Sequence, residues 1–221
     1  MGIDSLSSGE TIGWAMECVQ RGLLDKDDFD GLDFTWGNCQ TVEKLLGMII
    51  RREGIGDLFA EGTRSLARHF GKGSGEYAFH VKGLDMICGD PRGIKAFGLT
   101  YAIASRGGDH LRAEPFFELT ERYDEAEQRW GVRDIADRLS DNGKAILVEH
   151  TERQALLTDC LTMCKNIGLS MDILDFDFAS RLLIAGTGLK FTPEKVDDAL
   201  KGVIDRDRKM NIDFGVTAEQ D

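Results

Sequence analysis

The sequence predicts an all-α protein, multi-helical and folded as two contiguous helical lobes. Three observations predict it. Apolar residues recur at three- and four-residue intervals in most segments. Strand-like alternation is short everywhere, and glycines and prolines fall mostly where the helices would end. The joint Gly71-Lys72-Gly73-Ser74-Gly75 sets the lobe boundary between itself and about Gly83.

Taken in order, Ser7 and Glu10 have capping-box spacing, and Ile12, Ala15, Met16 and Val19 form one helix face as far as Gly22. Residues 25–39 are rich in Asp and Gly, with Phe29, Leu32, Phe34 and Trp36 as anchors of a packed connector. Thr41 is placed as the cap of a helix through Val42, Leu45, Leu46, Ile49 and Ile50, closed by Arg51, Arg52 and Gly54. A third helix is expected from near Asp57 to about Phe70, and short strand pieces fit around 76–81. After Asp90-Pro91-Arg92-Gly93, a helix through Ala96, Leu99, Tyr101 and Ala102 runs into Arg106-Gly107-Gly108-Asp109-His110. The paired glycines end it and let the backbone approach another group closely. Two charged helices, about 115–129 and 134–139, precede a long one from about Lys144 to Leu161 that leads to Cys164. A helix over 178–185 is broken by Gly186 and Gly188. Thr192-Pro193-Glu194 then starts the last, with Val196, Leu200, Val203 and Ile204 as its buried stripe.

Composition excludes several classes of function. With 42% hydrophobic and 30% charged residues, a 221-residue chain can bury a sizeable core and is not disordered. No run approaches the roughly 18 apolar residues of a membrane span, so no membrane is expected and the cytoplasm is the default compartment. Acidic side chains (39) outnumber basic ones (27), and the net charge of -12 repels phosphate backbones, which argues against a nucleic acid partner. The five cysteines, Cys18, Cys39, Cys88, Cys160 and Cys164, are odd in number and scattered, unlike a secreted disulfide framework. No phosphate-binding loop, dinucleotide fingerprint, nucleophile elbow or zinc motif is present.

Four places carry candidate chemistry. Asp159 and Cys164 lie five residues apart where a helix gives way to a turn: the carboxylate could accept from a heterocyclic amine and the thiolate could hold a soft metal centre. The alternative is that Cys160 and Cys164 are two buried small hydrophobes. His110, flanked by Asp109 and Arg112, could act in a cleft as acid, base or hydrogen-bond donor. Arg106 and Arg112 could pair with a phosphate or simply be surface charge. Asp4, just before the first helix, could bind that helix's amides or a ligand.

In order and spacing, the phrases Gly2-Ile3-Asp4-Ser5-Leu6-Ser7-Ser8-Gly9, Ala15-Met16-Glu17-Cys18, Arg52-Glu53-Gly54-Ile55-Gly56-Asp57, Ala60-Glu61-Gly62, Val81-Lys82-Gly83, Asp90-Pro91-Arg92-Gly93, Ser105-Arg106-Gly107-Gly108-Asp109-His110 and 159–165 resemble the carboxy-terminal half of the aldehyde ferredoxin oxidoreductase family. The resemblance covers essentially the whole chain. It implies tungsten, or sometimes molybdenum, on a bispterin beside one [4Fe-4S] cluster, with aldehydes oxidised to carboxylic acids and ferredoxin taking the electrons. It implies that residues 1–80 are the end of the family's second, helical domain and 81–221 its third, the β domain lying upstream of Met1. Two pterin-gripping motifs end in Asp-x-x-Gly-Leu-Asp/Cys. Gly2-Ile3-Asp4 matches the tail of the first, which makes these residues, Asp4 above all, pterin contacts. Asp159 and Met163 match the second as contacts to the other pterin, with Cys164 as fourth cluster ligand after three upstream cysteines. His110 matches the histidine that hydrogen-bonds the substrate oxygen, and Arg112 would lie near the pterin. On this basis Asp4, His110, Asp159 and Cys164 are expected to share one concave face, and the family admits a homodimer. Thr162-Met163 departs from the family's Gly-Leu, which keeps open the tungsten subunit of an aromatic acyl-CoA reductase. A cofactor-free helical interaction module is the third alternative.

Overall fold

Asp4 starts the first helix, α1 (Ser5–Gln20), in the computed structural model, which describes residues 2–87, 89–170 and 173–216. Its Oδ1 accepts from the backbone N–H of Leu6 (2.8 Å) and of Ser7 (3.1 Å), two of the amides that a helix start leaves open. The cap therefore lies three residues before the Ser7 that capping-box spacing suggests. Ser7 is inside the helix, where its carbonyl accepts from Thr11 Oγ1 at 2.6 Å. At the other end Gly22, at φ +70°, donates to Val19 O and Leu23 donates to Cys18 O, the paired bonds of a left-handed helix stop.

The chain divides into two units, the first made of residues 2–87 with Arg106–Gly108 and the second of Gly89–Ser105 with residues 109–216. In the first, α1 is followed by α2 (Cys39–Arg51), α3 (Ile55–Phe59) and α4 (Thr63–Phe70). Asn38, not Thr41, caps α2, accepting from Thr41 N at 3.2 Å, which leaves Thr41 buried inside the helix. The single helix expected over 57–70 is two, because Gly62 takes φ +84° and interrupts it. Phe29 is fully buried, its ring centroid 4.5 Å from that of Phe34 and 5.2 Å from that of Phe70, and each such burial contributes about 1.5–3 kcal/mol. Trp36 differs from the expected anchor. It stays half exposed because its indole N–H finds Gln20 Oε1, 2.7 Å away, at the surface. A small hairpin, β1 (His80–Val81) against β2 (Leu84–Asp85), pairs His80 with Asp85 and Val81 with Leu84. Lys82 and Gly83 both have positive φ, so the turn is of the I′ type that suits a tight hairpin.

The second unit holds α5 (Lys95–Ile103), α6 (Tyr123–Trp130), α7 (Lys144–Cys160), α8 (Phe176–Thr187) and α9 (Pro193–Asp213). The charged helices expected over 115–129 and 134–139 shrink to α6 and two short turns, Phe116–Leu119 and Arg133–Ala136. Pro115 starts the first turn, and Gly131, left-handed at φ +69°, ends α6. Leu147 and Val148 of α7 pack with Ile135 and Phe117 in one core, and Leu157 packs with Leu174, Val196 and Leu200 in another. Thr192 caps α9, accepting from Lys195 N at 3.3 Å, with Pro193 in its first turn. Among the described residues, no helix is long and apolar enough to cross a membrane.

Candidate functional site

The end of α7 sets Asp159 and Cys164 on either side of a helix stop. Thr162 N donates to Asp159 O at 3.1 Å and Met163 N to Thr158 O at 2.9 Å, the same pair of bonds that closes α1 around Gly22. The residue between them must be left-handed, and here it is Thr162 at φ +55°. A β-branched side chain is strained in that region, so this is where the departure from Gly-Leu is felt. Met163 is half-buried and packs against the core of Leu157 and Leu174. Thr162→Gly is expected to raise stability by about 1 kcal/mol, the relief of left-handed strain less the entropy that glycine adds to the unfolded chain. Urea unfolding checks this: the midpoint should rise at constant slope, and a fall would show that the threonine side chain makes a holding contact.

Asp109 is buried and caps the short turn His110–Arg112, accepting from Leu111 N at 2.9 Å, while Arg112 Nε lies 3.9 Å from its Oδ2. The His110 ring lies nearly parallel to Phe97 of α5, with centroids 6.4 Å apart. Its Nε2 is 3.7 Å from Oε1 of Glu114. Glu114 is only 5% exposed, and burial pushes its carboxyl up to about 7, opposed by Lys165 and aided by Asp109. Burial pushes the His110 imidazole below its usual range, against the pull of Asp109. Lys165 in turn donates to Asp159 Oδ2 at 2.8 Å and to Ala155 O at 3.4 Å. His110 and Asp159, distant in sequence, are thus linked through Glu114 and Lys165. Sequence reasoning missed both linking residues, although the i, i+4 spacing of His110 and Glu114 was there to be read. Cys164 and Asp159 are exposed.

In the first unit, Gly2, Ile3 and Asp4 line a concavity of about 450 Å³ with Ser7, Thr11 and Arg52 among its other walls. Both capping bonds fall on Asp4 Oδ1, so Oδ2 is the oxygen a ligand would meet. Thr63 Oγ1 donates to Thr11 Oγ1 at 3.2 Å, and Thr11 Oγ1 lies 3.5 Å from Oδ2 of Asp85. Asp85 is buried, and desolvation pushes its carboxyl up against the hydrogen bonds from Thr63. It too went unnoticed in the sequence, where nothing marks an acid in a hairpin as buried. Arg106 is exposed and belongs to this unit.

Comparison with known proteins identifies the family. The family model described as aldehyde ferredoxin oxidoreductase, domains 2 and 3, matches residues 1–221, and the chain belongs to that family. It is 38% identical over 113 residues to the tungsten-containing aldehyde ferredoxin oxidoreductase of Pyrococcus furiosus, a match covering 51% of this chain and 18% of that protein. It is 36% identical over 116 residues to the WOR-like subunit of an aliphatic sulfonate oxidoreductase of the same organism, covering 50% and 18%. The chain thus matches under a fifth of the length of these relatives. Its fold is similar to that of a chain in the active site complex BamBC of benzoyl coenzyme A reductase bound to 1,5-dienoyl-CoA. That match has a TM-score of 0.64 at 21% identity and covers 90% of this chain and 34% of the other.

The residues fit the family's cofactors unevenly. Among the described residues no three His, Cys, Asp or Glu side chains converge as a metal site, and Cys164 is a free, exposed cysteine. For a pterin, whose ring amines donate, the fit is better: Asp4 and Asp159 are exposed carboxylates at a helix start and a helix end.

Proposed function

We propose that the chain is the helical part of an enzyme that carries tungsten, or molybdenum, on a bispterin beside a [4Fe-4S] cluster, oxidises small aldehydes to carboxylic acids and passes the electrons to ferredoxin. The observation that supports it best is the Asp159/Cys164 pair across the α7 stop, in a chain matched to the family along its whole length. When bound, the metal centre supplies the oxidation, accepting two electrons from the substrate. Asp4, with Gly2 and Ile3 beside it, would accept hydrogen bonds from one pterin. Asp159 would do so for the other, with Met163 and Arg112 nearby, and Cys164 Sγ would bind an iron. His110, with its imidazole biased toward the neutral form, is suited to donate a hydrogen bond to the substrate oxygen. Residues 1–80 and 81–221 would then be the end of the second and most of the third family domain. The enzyme would work in the cytoplasm, as monomer or homodimer, and the 221 residues alone would be inactive for want of the other cluster ligands.

The test is the tungsten, molybdenum and iron content of the anaerobically purified full-length protein, with and without Cys164→Ser. Bound metal with about four irons per chain, and an iron loss in the variant, is the expected result. No metal and no effect of Cys164 would leave the cofactor-free helical module. A second reading, reduction of an aromatic acyl-CoA or oxidation of another substrate, is favoured by Thr162-Met163 and by the near-equal identity to the aldehyde and sulfonate enzymes, 38% and 36%. Paired assays with aldehyde plus ferredoxin and with aromatic acyl-CoA separate the two.

A further inference from the structure

Glu114 is a buried acid that these assignments leave unused. Its Oε2 has no hydrogen-bond partner, and its Oε1 stands just beyond hydrogen-bond range of His110 Nε2, at 3.7 Å. The backbone between the two residues is pinned. Asp109 caps the turn, and the carbonyl of Ala113 accepts from Thr151 Oγ1 of α7 at 2.6 Å. Phe97 of α5 lies alongside the ring. The pair is therefore held together by elements on both sides rather than meeting by chance at a surface. A carboxyl in such a place is kept either neutral or next to a positive charge, since an isolated buried carboxylate is costly.

We propose that Glu114 is a positioning residue for His110 and shares one proton with it. In one form the proton is on the Glu114 carboxyl and both groups are neutral. In the other the O–H bond has broken, an N–H bond has formed at His110 Nε2, and the two are an ion pair. The transfer takes place when the Glu114 carboxyl swings to close the 3.7 Å gap to hydrogen-bond distance; no proton is then gained or lost, so the ring can change its charge without drawing on solvent. The charged groups around the pair are Asp109 and Arg112 on its own turn, Asp159 on α7, and Lys165 beyond α7, whose ammonium Asp159 holds; α5 contributes the uncharged Phe97. Burial moves the acid up, to about 7, and the base down; with the two groups only 3.7 Å apart, the protons should leave in two steps that belong to the pair. What the pair does at a substrate rests on the function proposed above; the sharing itself does not.

The test is NMR of the chain, following the Glu114 carboxyl carbon and the His110 ring nitrogens against pH. In the unmodified chain both nuclei should show a common inflection near neutrality. In Glu114→Gln the imidazolium loses its anion, and the His110 midpoint should fall by about one pH unit while His69 is unmoved. Glu114→Asp, which withdraws the charge without removing it, should fall between. A carboxyl that titrates alone in the ordinary carboxylate range, or a His110 midpoint unchanged in Glu114→Gln, would overturn the proposal. Should Glu114→Gln fail to fold, the unmodified chain's carboxyl curve decides alone. A protein without metal but with the common inflection would retain the pair and lose the enzymatic reading, so the two can fail separately.

Discussion

Lys144→Ala is expected to cost about 3–5 kcal/mol, the usual loss when one partner of a buried ion pair is removed. Lys144 is 5% exposed at the start of α7, and its Nζ donates to Ile135 O at 2.9 Å and Asp137 O at 2.7 Å while lying 3.0 Å from Glu118 Oε2. Glu118 is fully buried, and both of its oxygens accept from Ala96 N at 3.1 Å. It thereby serves the start of α5, where the residue in the cap position, Ile94, has no side-chain acceptor to offer. One ammonium thus satisfies two turn carbonyls and the carboxylate that secures another helix. Burial pushes Glu118 up and Lys144 pulls it down, so the variant's carboxyl should sit higher still. The sign follows: an acid raised in the folded state is fully tolerated below its unfolded value and increasingly penalised as pH rises through the folded one. The deficit of Lys144→Ala should therefore be smaller at about pH 4.5 than at neutrality. Urea unfolding at the two pH values measures it. Lys144→Met with Glu118→Leu should regain only part of the loss, because the uncompensated carboxylate is gone but Ala96 N–H and the two turn carbonyls lose these partners. A single variant that unfolds like the parent at both pH values would mean that water replaces the ammonium.

The sequence made the long elements plain and hid the short ones. α7 and α9 were legible because their signals are local: for α7 a run of 17 residues without glycine or proline, and for α9 an apolar stripe with a Thr-Pro-Glu start. Caps were misplaced where two acceptable residues lay within one turn, as with Asp4 against Ser7 and Asn38 against Thr41, since both candidates have the right chemistry and only the backbone angle chooses. The charged stretch 115–139 read as helix because its residues are good helix formers. It is mostly turn because Glu118 is called to α5 and Lys144, a tertiary demand that no window of sequence contains. The candidate site divides in the same way. Asp159, Cys164 and His110 stand out through their spacing and the phrases around them, whereas Glu114 and Asp85 become notable only once they are seen to be buried.

Gly107 is the place where a sequence expectation and a large effect coincide, and Gly107→Ala should destabilise the first unit by about 2–5 kcal/mol. Its φ is +101°, and an added Cβ would stand 2.1 Å from Val81 O, with Gly108 similarly 2.5 Å from Leu84 O. Both obstacles are backbone atoms of the hairpin, which cannot swing aside as a side chain can. The hairpin itself is fixed by its two-residue turn and by the bond from Gly108 N to Val81 O at 3.1 Å. The expected cost joins about 1–2 kcal/mol for a positive φ to about 1–3 for overpacking. Gly131→Ala separates these parts. Gly131 is left-handed at φ +69° but has nothing within 4 Å of its added Cβ, so its variant should lose only the first, about 1–2 kcal/mol. Thermal or urea unfolding of the two variants gives the difference, and hydrogen exchange at Gly108 N should quicken in Gly107→Ala alone if the hairpin contact has opened. Equal losses would show that conformational freedom, not the approach of two backbones, is why glycine stands at 107.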